Sequence, residues 1–191
     1  VSQSLPVSYF DGLYERSPDP WSFETSAYEQ EKFQATLAAL PRPRYRRALE
    51  IGCSIGVLTR QLADRCDELV ALEPAAKALE RARERCRDLP HVAFLRSRVP
   101  ADWPDSTFDL ILLSEVVYYL DAADVGRLAE KVMTTIRPGG HVELVHWTGE
   151  TDYPLSGDEA ADIFIHATAG RLNIIARQRA PEYRLDLLAA R

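Results

Sequence analysis

From residue 47 onward the chain alternates short apolar runs with amphipathic helical stretches, and this alternation constrains the fold more than any other feature. "RALEIG" (47–52) reads as a strand, and the helix after Gly56 carries Val57, Leu58, Leu62 and Cys66 on one face. "ELVALE" (68–73) is a second strand; the helix after it aligns Ala75, Ala78, Leu79, Ala82 and Cys86 opposite a face of Arg and Glu. "VAFLR" (92–96), "FDLILLS" (108–114) and "HVELVHW" (141–147) are three further strands. The helix between the last two carries Leu128, Val132 and Ile136 and stops at "RPGG". Strands buried on both faces and joined by helices make a parallel sheet in a doubly wound α/β fold. A helix near 157–169 then precedes "RLNIIARQ" and "YRLDLLAAR", two strands joined by "RAPE", a link short enough for an antiparallel hairpin. The expected architecture is a mostly parallel seven-stranded sheet, helices on both faces, ending in an antiparallel C-terminal hairpin.

Before the alternation, residues 1–46 carry two predicted helices, "SYFDGLYE" and "SAYEQEKFQATLAAL" (26–40), the second with Ser26 as its cap. Between them lies "SPDPW" (17–21), turn-rich yet holding Trp21. At 191 residues the chain suits one domain, a helical segment (1–46) followed by an α/β core (47–191). A net charge of −6 argues against nucleic acid and anionic membrane as partners, since both favour a basic surface. The local basic clusters "RPRYRR" (42–47) and "RARERCR" (81–87) read as solvated faces. Cys53, Cys66 and Cys86 are odd in number and lack metal-ligand spacing, so they read as small buried residues of a reducing compartment, and no metal is expected. No apolar run approaches the ~18 residues of a membrane span. With no secretory leader pattern at the N-terminus, a cytoplasmic location is expected.

The chemistry is concentrated in "ALEIGCSIGVL" (48–58), where a strand turns into a helix around Glu50, Gly52 and Gly56. In a doubly wound sheet, ligands bind at the carboxyl ends of the strands. A dinucleotide fingerprint needs glycines at 52, 54 and 57, and this chain has Gly52, Ser54 and Val57. A phosphate loop needs Lys and then Ser or Thr after its last glycine, and Val57 and Leu58 stand there instead. Glu50 would repel a phosphate and suits a ligand with a cationic end. Glu73, at the end of the second strand, can accept both hydroxyls of a ribose. A ribose, a positive charge and no phosphate describe S-adenosylmethionine. The plainer alternative is that both acids are ordinary polar strand ends.

"ALEIGCSIG" resembles the first motif of class I S-adenosylmethionine-dependent methyltransferases, with a Rossmann-like fold. "ALEP" resembles their ribose-binding acidic motif, and "FDLILLSEVVYYL" and "IRPGGHVELVHW" resemble their fourth and fifth strands. "DPWSFETSAYEQEKF", "LEIGCSIG" and "SEVVYYL" together are similar to the NodS-like nodulation N-methyltransferases. That branch methylates the free amine of a de-N-acetylated sugar in a chitooligosaccharide, which implies a deacetylase upstream. The resemblance implies that Glu50 neighbours the cofactor's ammonium, that Gly52, Ser54 and Gly56 line its methionyl and ribose side, and that Glu73 holds the ribose beside Pro74. Where the family often has an acid for the adenine amino group, "RSRV" offers Arg98, so adenine contact falls to the backbone of Arg98 and Val99. Ser114 and Glu115 end the fourth strand on the cofactor side, and Trp21 belongs to a segment that closes over the cofactor in such folds.

An amine must be neutral to accept a methyl group, so a proton acceptor is useful. His146 is the leading candidate, since imidazole titrates near neutral pH. Glu115 and Tyr118 stand with it at the strand ends. Each has a plainer alternative: His146 as a structural residue, Glu115 as the cap of the next helix, and Trp21 as core. Other small natural-product amines or hydroxyls remain alternative acceptors, and a non-catalytic S-adenosylmethionine-binding domain is the alternative from another class.

Overall fold

The computed structural model describes residues 3–191. Its strands form a seven-stranded, mostly parallel sheet in which the C-terminal strands run antiparallel. The chain divides into two compact units, Pro6–Arg98 and a second holding Val99–Arg191 with the residues up to Leu5. The division falls after Arg98, and the N-terminal helices lie in the same unit as the first three strands.

The first unit runs α1 (Val7–Arg16), α2 (Ala27–Ala39), β1 (Tyr45–Ile51), α3 (Val57–Ala63), β2 (Cys66–Glu73), α4 (Ala76–Arg85) and β3 (Val92–Arg96). The strands lie in the order β3-β2-β1, all parallel, with Ile51 beside Leu72 and Glu73 beside Arg96. Ser26 caps α2 as expected, its hydroxyl accepting from the Glu29 backbone N–H at 3.3 Å. Cys66 departs from expectation: it opens β2 instead of sitting on the preceding helix, because α3 ends at Ala63. The Arg65 guanidinium anchors that early stop by donating to the carbonyls of Leu37, Arg42 and Pro43. All three cysteines are buried and none is in a disulfide.

Gly56 opens α3 at φ +79°. A Cβ there would lie 2.9 Å from the Ala82 Cα and 3.0 Å from its Cβ, so α3 and α4 approach as closely as they do only because residue 56 has no side chain.

The second unit contains β4 (Phe108–Ser114), a short 3-10 turn (Val117–Tyr119), α5 (Ala122–Thr135), β5 (Ile136–Trp147), α6 (Gly157–Thr168), β6 (Leu172–Arg179) and β7 (Tyr183–Ala190). The order is β4-β5-β7-β6, with β4 and β5 parallel and the remaining pairs antiparallel. The hairpin of "RLNIIARQ" and "YRLDLLAAR" is present as β6 and β7. Ile136 is not the last residue of the helix but the first of β5, which runs through "RPGG" with a register shift between Phe108 and Leu110 on its partner. Ser156 and Glu159 form a capping box at the start of α6. Buried Arg184 joins α6 to β7 through Asp158, Asp162 and Asp186.

Gly56 and Gly126 give opposite expectations. Gly56→Ala forces an alanine into the left-handed region against the Ala82 backbone and should cost about 2–4 kcal/mol, lowering Tm by roughly 5–15 °C. Gly126, inside α5, has nothing within 4 Å of a would-be Cβ, so Gly126→Ala should stabilise by about 0.5–1 kcal/mol. Thermal unfolding of both variants checks the pair.

Candidate functional site

In the first unit, β1 delivers Glu50 one residue before its end, and the chain then turns through Gly52 at φ +79°, Ser54 at φ +50° and Gly56. The N–H groups of Gly52 and Cys53 both donate to the Leu72 carbonyl, at 2.8 and 2.9 Å, tying the turn to β2. Glu73 braces it from the side: Oε2 accepts from the Ser54 N–H at 3.0 Å and Oε1 from the Ala75 N–H at 2.9 Å. Pro74 is half-buried beside it. The Tyr14 hydroxyl, carried in by α1, hydrogen-bonds to the Ser54 hydroxyl. Tyr14 packs with Ile55, Ala75 and Ala78, and Trp21 meets it edge-on at 5.8 Å between ring centroids. Trp21 is therefore on the turn's own hydrophobic cluster, half-buried.

Both acids are nearly inaccessible, Glu50 2% and Glu73 5% exposed. Burial pushes the Glu50 carboxyl up to about 7; the nearby Thr59 hydroxyl offsets part of the rise, and the charge of Glu73 adds to it. Glu50 Oε2 and the Thr59 hydroxyl each lack a partner at hydrogen-bonding geometry among the described residues. Burial likewise pushes Glu73 up to about 7, against the pull of the two backbone N–H groups that it accepts. Burial, then the charge of Glu73, holds the Tyr14 phenol neutral far above its ordinary range. Such a turn offers positive-φ backbone, a partnerless buried carboxylate oxygen and an aromatic wall, the features that a small cationic ligand fits.

Two residues outside the set expected to touch the cofactor hold this turn. Tyr14 is one. The other is Arg85, which the charge pattern placed on a solvated face; its Nε donates to the Ile55 carbonyl at 2.9 Å and its guanidinium pairs with Glu24. Arg98 is exposed after β3, and Ser97 just before it donates its N–H to the Glu73 carbonyl at 3.2 Å. Val99 is half-buried at the start of the second unit.

In the second unit, Ser114 ends β4 buried, and Glu115 follows at φ +57°. The Glu115 N–H donates to the Val145 carbonyl at 2.8 Å, while its Oε2 accepts from the Trp147 N–H at 2.9 Å and from the Tyr118 hydroxyl. Glu115 is thus no helix cap: Asp121 caps α5, accepting from the Asp124 N–H. Burial, then the charge of Glu115, keeps the Tyr118 phenol neutral well above its usual range. His146 departs from the place expected of a proton acceptor at the rim. Its ring is wholly buried, its Nε2 accepts from the Val117 N–H at 3.2 Å, and it meets Tyr118 edge-on at 5.3 Å. One nitrogen is thereby committed to holding the turn after β4. Among the described residues no group of three or more His, Cys, Asp or Glu is arranged for a metal ion, and no helix is long and apolar enough to cross a membrane.

The model of the nodulation protein S (NodS) family matches residues 14–143, more than half of the chain. The chain belongs to the NodS family. It is 32% identical to nodulation protein S of Sinorhizobium fredii over 126 residues, 65% of this chain and 58% of that protein. The match spans somewhat over half the length of the curated relatives. Among solved structures, a Pseudomonas syringae protein assigned provisionally as a methyltransferase is 37% identical, with TM-score 0.76 over 86% of this chain and 99% of its own. The N-methyltransferase NodS of Bradyrhizobium japonicum, in complex with S-adenosyl-L-homocysteine, aligns with TM-score 0.80 over 94% of this chain and 97% of its own. At 22% identity that likeness carries the fold, the Rossmann-like methyltransferase fold expected from the sequence.

The buried acid of this NodS-family turn gives a signed expectation. A native carboxyl near 7 keeps a proton that the unfolded chain loses near 4.5, so native stability falls as pH rises through that window. Glu50→Gln should match the wild type at pH 5, where Glu50 is already neutral. At pH 8 it should melt higher by a few degrees, since it removes a desolvated charge. Scanning calorimetry of the ligand-free protein at both pH values checks this; a lower Tm at pH 8 would show that the charge is compensated.

Proposed function

We propose that this chain is an S-adenosylmethionine-dependent N-methyltransferase acting on the free amine of an amino sugar or de-N-acetylated chitooligosaccharide. The observation that carries the reading is the partnerless Glu50 oxygen in the glycine turn of a NodS-family chain. A buried carboxylate with no partner is costly, and a ligand ammonium at that point offsets the cost. Glu50 with Gly52, Ser54 and Gly56 would hold the methionyl end. Glu73, whose oxygens each retain acceptor capacity beyond one N–H, would meet the ribose hydroxyls. Pro74, Trp21 and the backbone of Arg98 would complete the cofactor's surroundings within the first unit.

Bound there, S-adenosylmethionine would supply a sulfonium methyl group whose carbon a neutral amine attacks in line, with the thioether of S-adenosylhomocysteine as leaving group. The chain's own part is to hold, align and keep dry; alignment alone contributes roughly 7–11 kcal/mol. Glu115, half-buried and fixed by Trp147 and Tyr118, would receive the hydrogen bonds of the acceptor's amine and relay its proton outward. Tyr118, held neutral, would orient that carboxylate. His146 would act through the turn that it holds at Val117, as a positioning residue and not as the base. An amide nitrogen has its lone pair delocalised and cannot take the methyl group, so a deacetylase must act first. The buried cysteines, none in a disulfide, suit a reducing, cytoplasmic setting.

Methylation assays on glucosamine, chitosan oligomers and their N-acetylated forms, with the methyl position determined, test the reading. The free amines should be methylated on nitrogen and the acetylated forms left untouched; methyl groups on oxygen would overturn the amine assignment. S-adenosylhomocysteine, and not NAD, should raise Tm. Below pH 7 its binding should release a proton from Glu50, so affinity should gain up to about tenfold per pH unit and level off above 7. Calorimetric titration in buffers of different ionisation enthalpy reads that proton directly, and pH-independent affinity would move the ammonium away from Glu50.

A further inference from the structure

Trp147 ends β5, and while its backbone N–H holds Glu115, its indole has no part in the acceptor chemistry just assigned. Its backbone N–H is held by Glu115 at 2.9 Å. A Cβ at Gly157, the first residue of α6, would lie 1.9 Å from the Trp147 carbonyl oxygen. A Cβ at Gly149 would fall 2.3 Å from the indole Nε1 and 2.5 Å from Cε2. The backbone at 149 therefore lies directly against the indole, and no residue with a side chain fits there without displacing it. Despite this support Trp147 stays half-buried, with part of its surface open to solvent.

Across the β5–β7 ladder Trp147 is paired with Tyr183, also half-buried. Residues directly opposite in an antiparallel pair project from the same face of the sheet with Cβ atoms about 4.5–5.5 Å apart. The preceding pair, His146 with Arg184, projects from the other face, where both are buried and Arg184 reaches α6. The ladder continues past the strand end through the Thr148 N–H to the Glu182 carbonyl at 2.9 Å, which keeps the two aromatics in register. An indole and a phenol projecting from one face at a sheet end, the indole on the residue whose N–H Glu115 holds, offer flat apolar surface with polar edges. The C–H face of a pyranose ring is its complement.

We propose that Trp147 and Tyr183 form the platform on which a saccharide acceptor seats its ring, so that they set preference for sugar amines over open-chain amines. The inference rests on the acceptor reading above and names the surface that recognises the sugar. Neither residue touches the transferred group; their work is ground-state seating, which appears in KM and not in kcat.

The test uses the full chain loaded with S-adenosylhomocysteine for binding and with S-adenosylmethionine for turnover. Chitosan dimers and trimers are the saccharide probes and ethanolamine is the open-chain amine. Trp147→Ala and Tyr183→Ala should each raise KM for the oligomers about three- to tenfold, the worth of one aromatic contact, and Tyr183→Ala, outside the Glu115 contact, should leave kcat and the KM of ethanolamine unchanged. Trp147→Phe should restore most of the loss. Gly149→Ala, whose methyl group meets the indole, should raise KM in the same selective way. Unchanged oligomer KM in these variants, or an equal rise for ethanolamine, would overturn the platform. Independently of turnover, 5-fluorotryptophan NMR should show the Trp147 resonance, assigned by its loss in Trp147→Phe, shifting with added oligomer while those of Trp21 and Trp103 stay put. A shift in a protein that methylates no sugar would leave the platform standing and overturn the acceptor reading; no shift would overturn the platform.

Discussion

The first unit is organised around two carboxylates that water cannot reach. Removing a charged group from water costs several kcal/mol unless something replaces the lost hydrogen bonds. Glu73 is compensated within the chain, by the N–H groups of Ser54 and Ala75. Glu50 is compensated only in part, by the nearby Thr59 hydroxyl, and its Oε2 finds no partner at hydrogen-bonding geometry among the described residues. The turn between β1 and α3 is the consequence. Gly52 and Gly56 let it fold back tightly, Tyr14 and Arg85 pin Ser54 and Ile55 from α1 and α4, and Glu73 spans its base. A fold that spends so many side chains on one short turn, yet leaves an acid there unsatisfied, is arranged for something that arrives later.

Glu73 consequently has two duties that a single substitution cannot separate. The same oxygens proposed for the ribose already hold the backbone on which the methionyl end would rest. Removing the carboxylate would loosen the turn as well as the ribose contact, so a drop in cofactor affinity in such a variant measures both together. Tyr14 offers a cleaner handle, because its phenol is neutral at all ordinary pH values and its hydroxyl bonds to the Ser54 side chain.

The strands and their order of appearance were legible in the sequence because strands buried on both faces leave continuous apolar runs, as "FDLILLS" does. What was not legible depended on contacts far apart in the chain. Cys66 continued a helical period, but α3 stops three residues earlier where Arg65 gathers carbonyls from residues 37 to 43. Arg85 sat in a basic run with interleaved acids and read as solvated, while its actual partner is a backbone carbonyl 30 positions away. At the end of β5 the error was one of parity. His146 and Trp147 are adjacent, so they must point to opposite faces of the sheet, and only one of them can serve an open site. Burial gives the interior to His146.

That parity also explains why the end of β5 can combine rigidity with access. The inward residue, His146, holds the turn after β4 through Val117, and the turn presents Glu115 at a left-handed backbone position that a non-glycine residue adopts only under constraint. Glu115 returns the constraint by accepting from the Trp147 N–H, so each strand end fixes the other. The outward residue, Trp147, inherits this rigidity without being buried. Glu115 holds a left-handed backbone, and the backbone at Gly149 lies against the indole, so both strand ends are constrained. The proposed contacts with a ligand's amine and ring would give the two constraints one purpose.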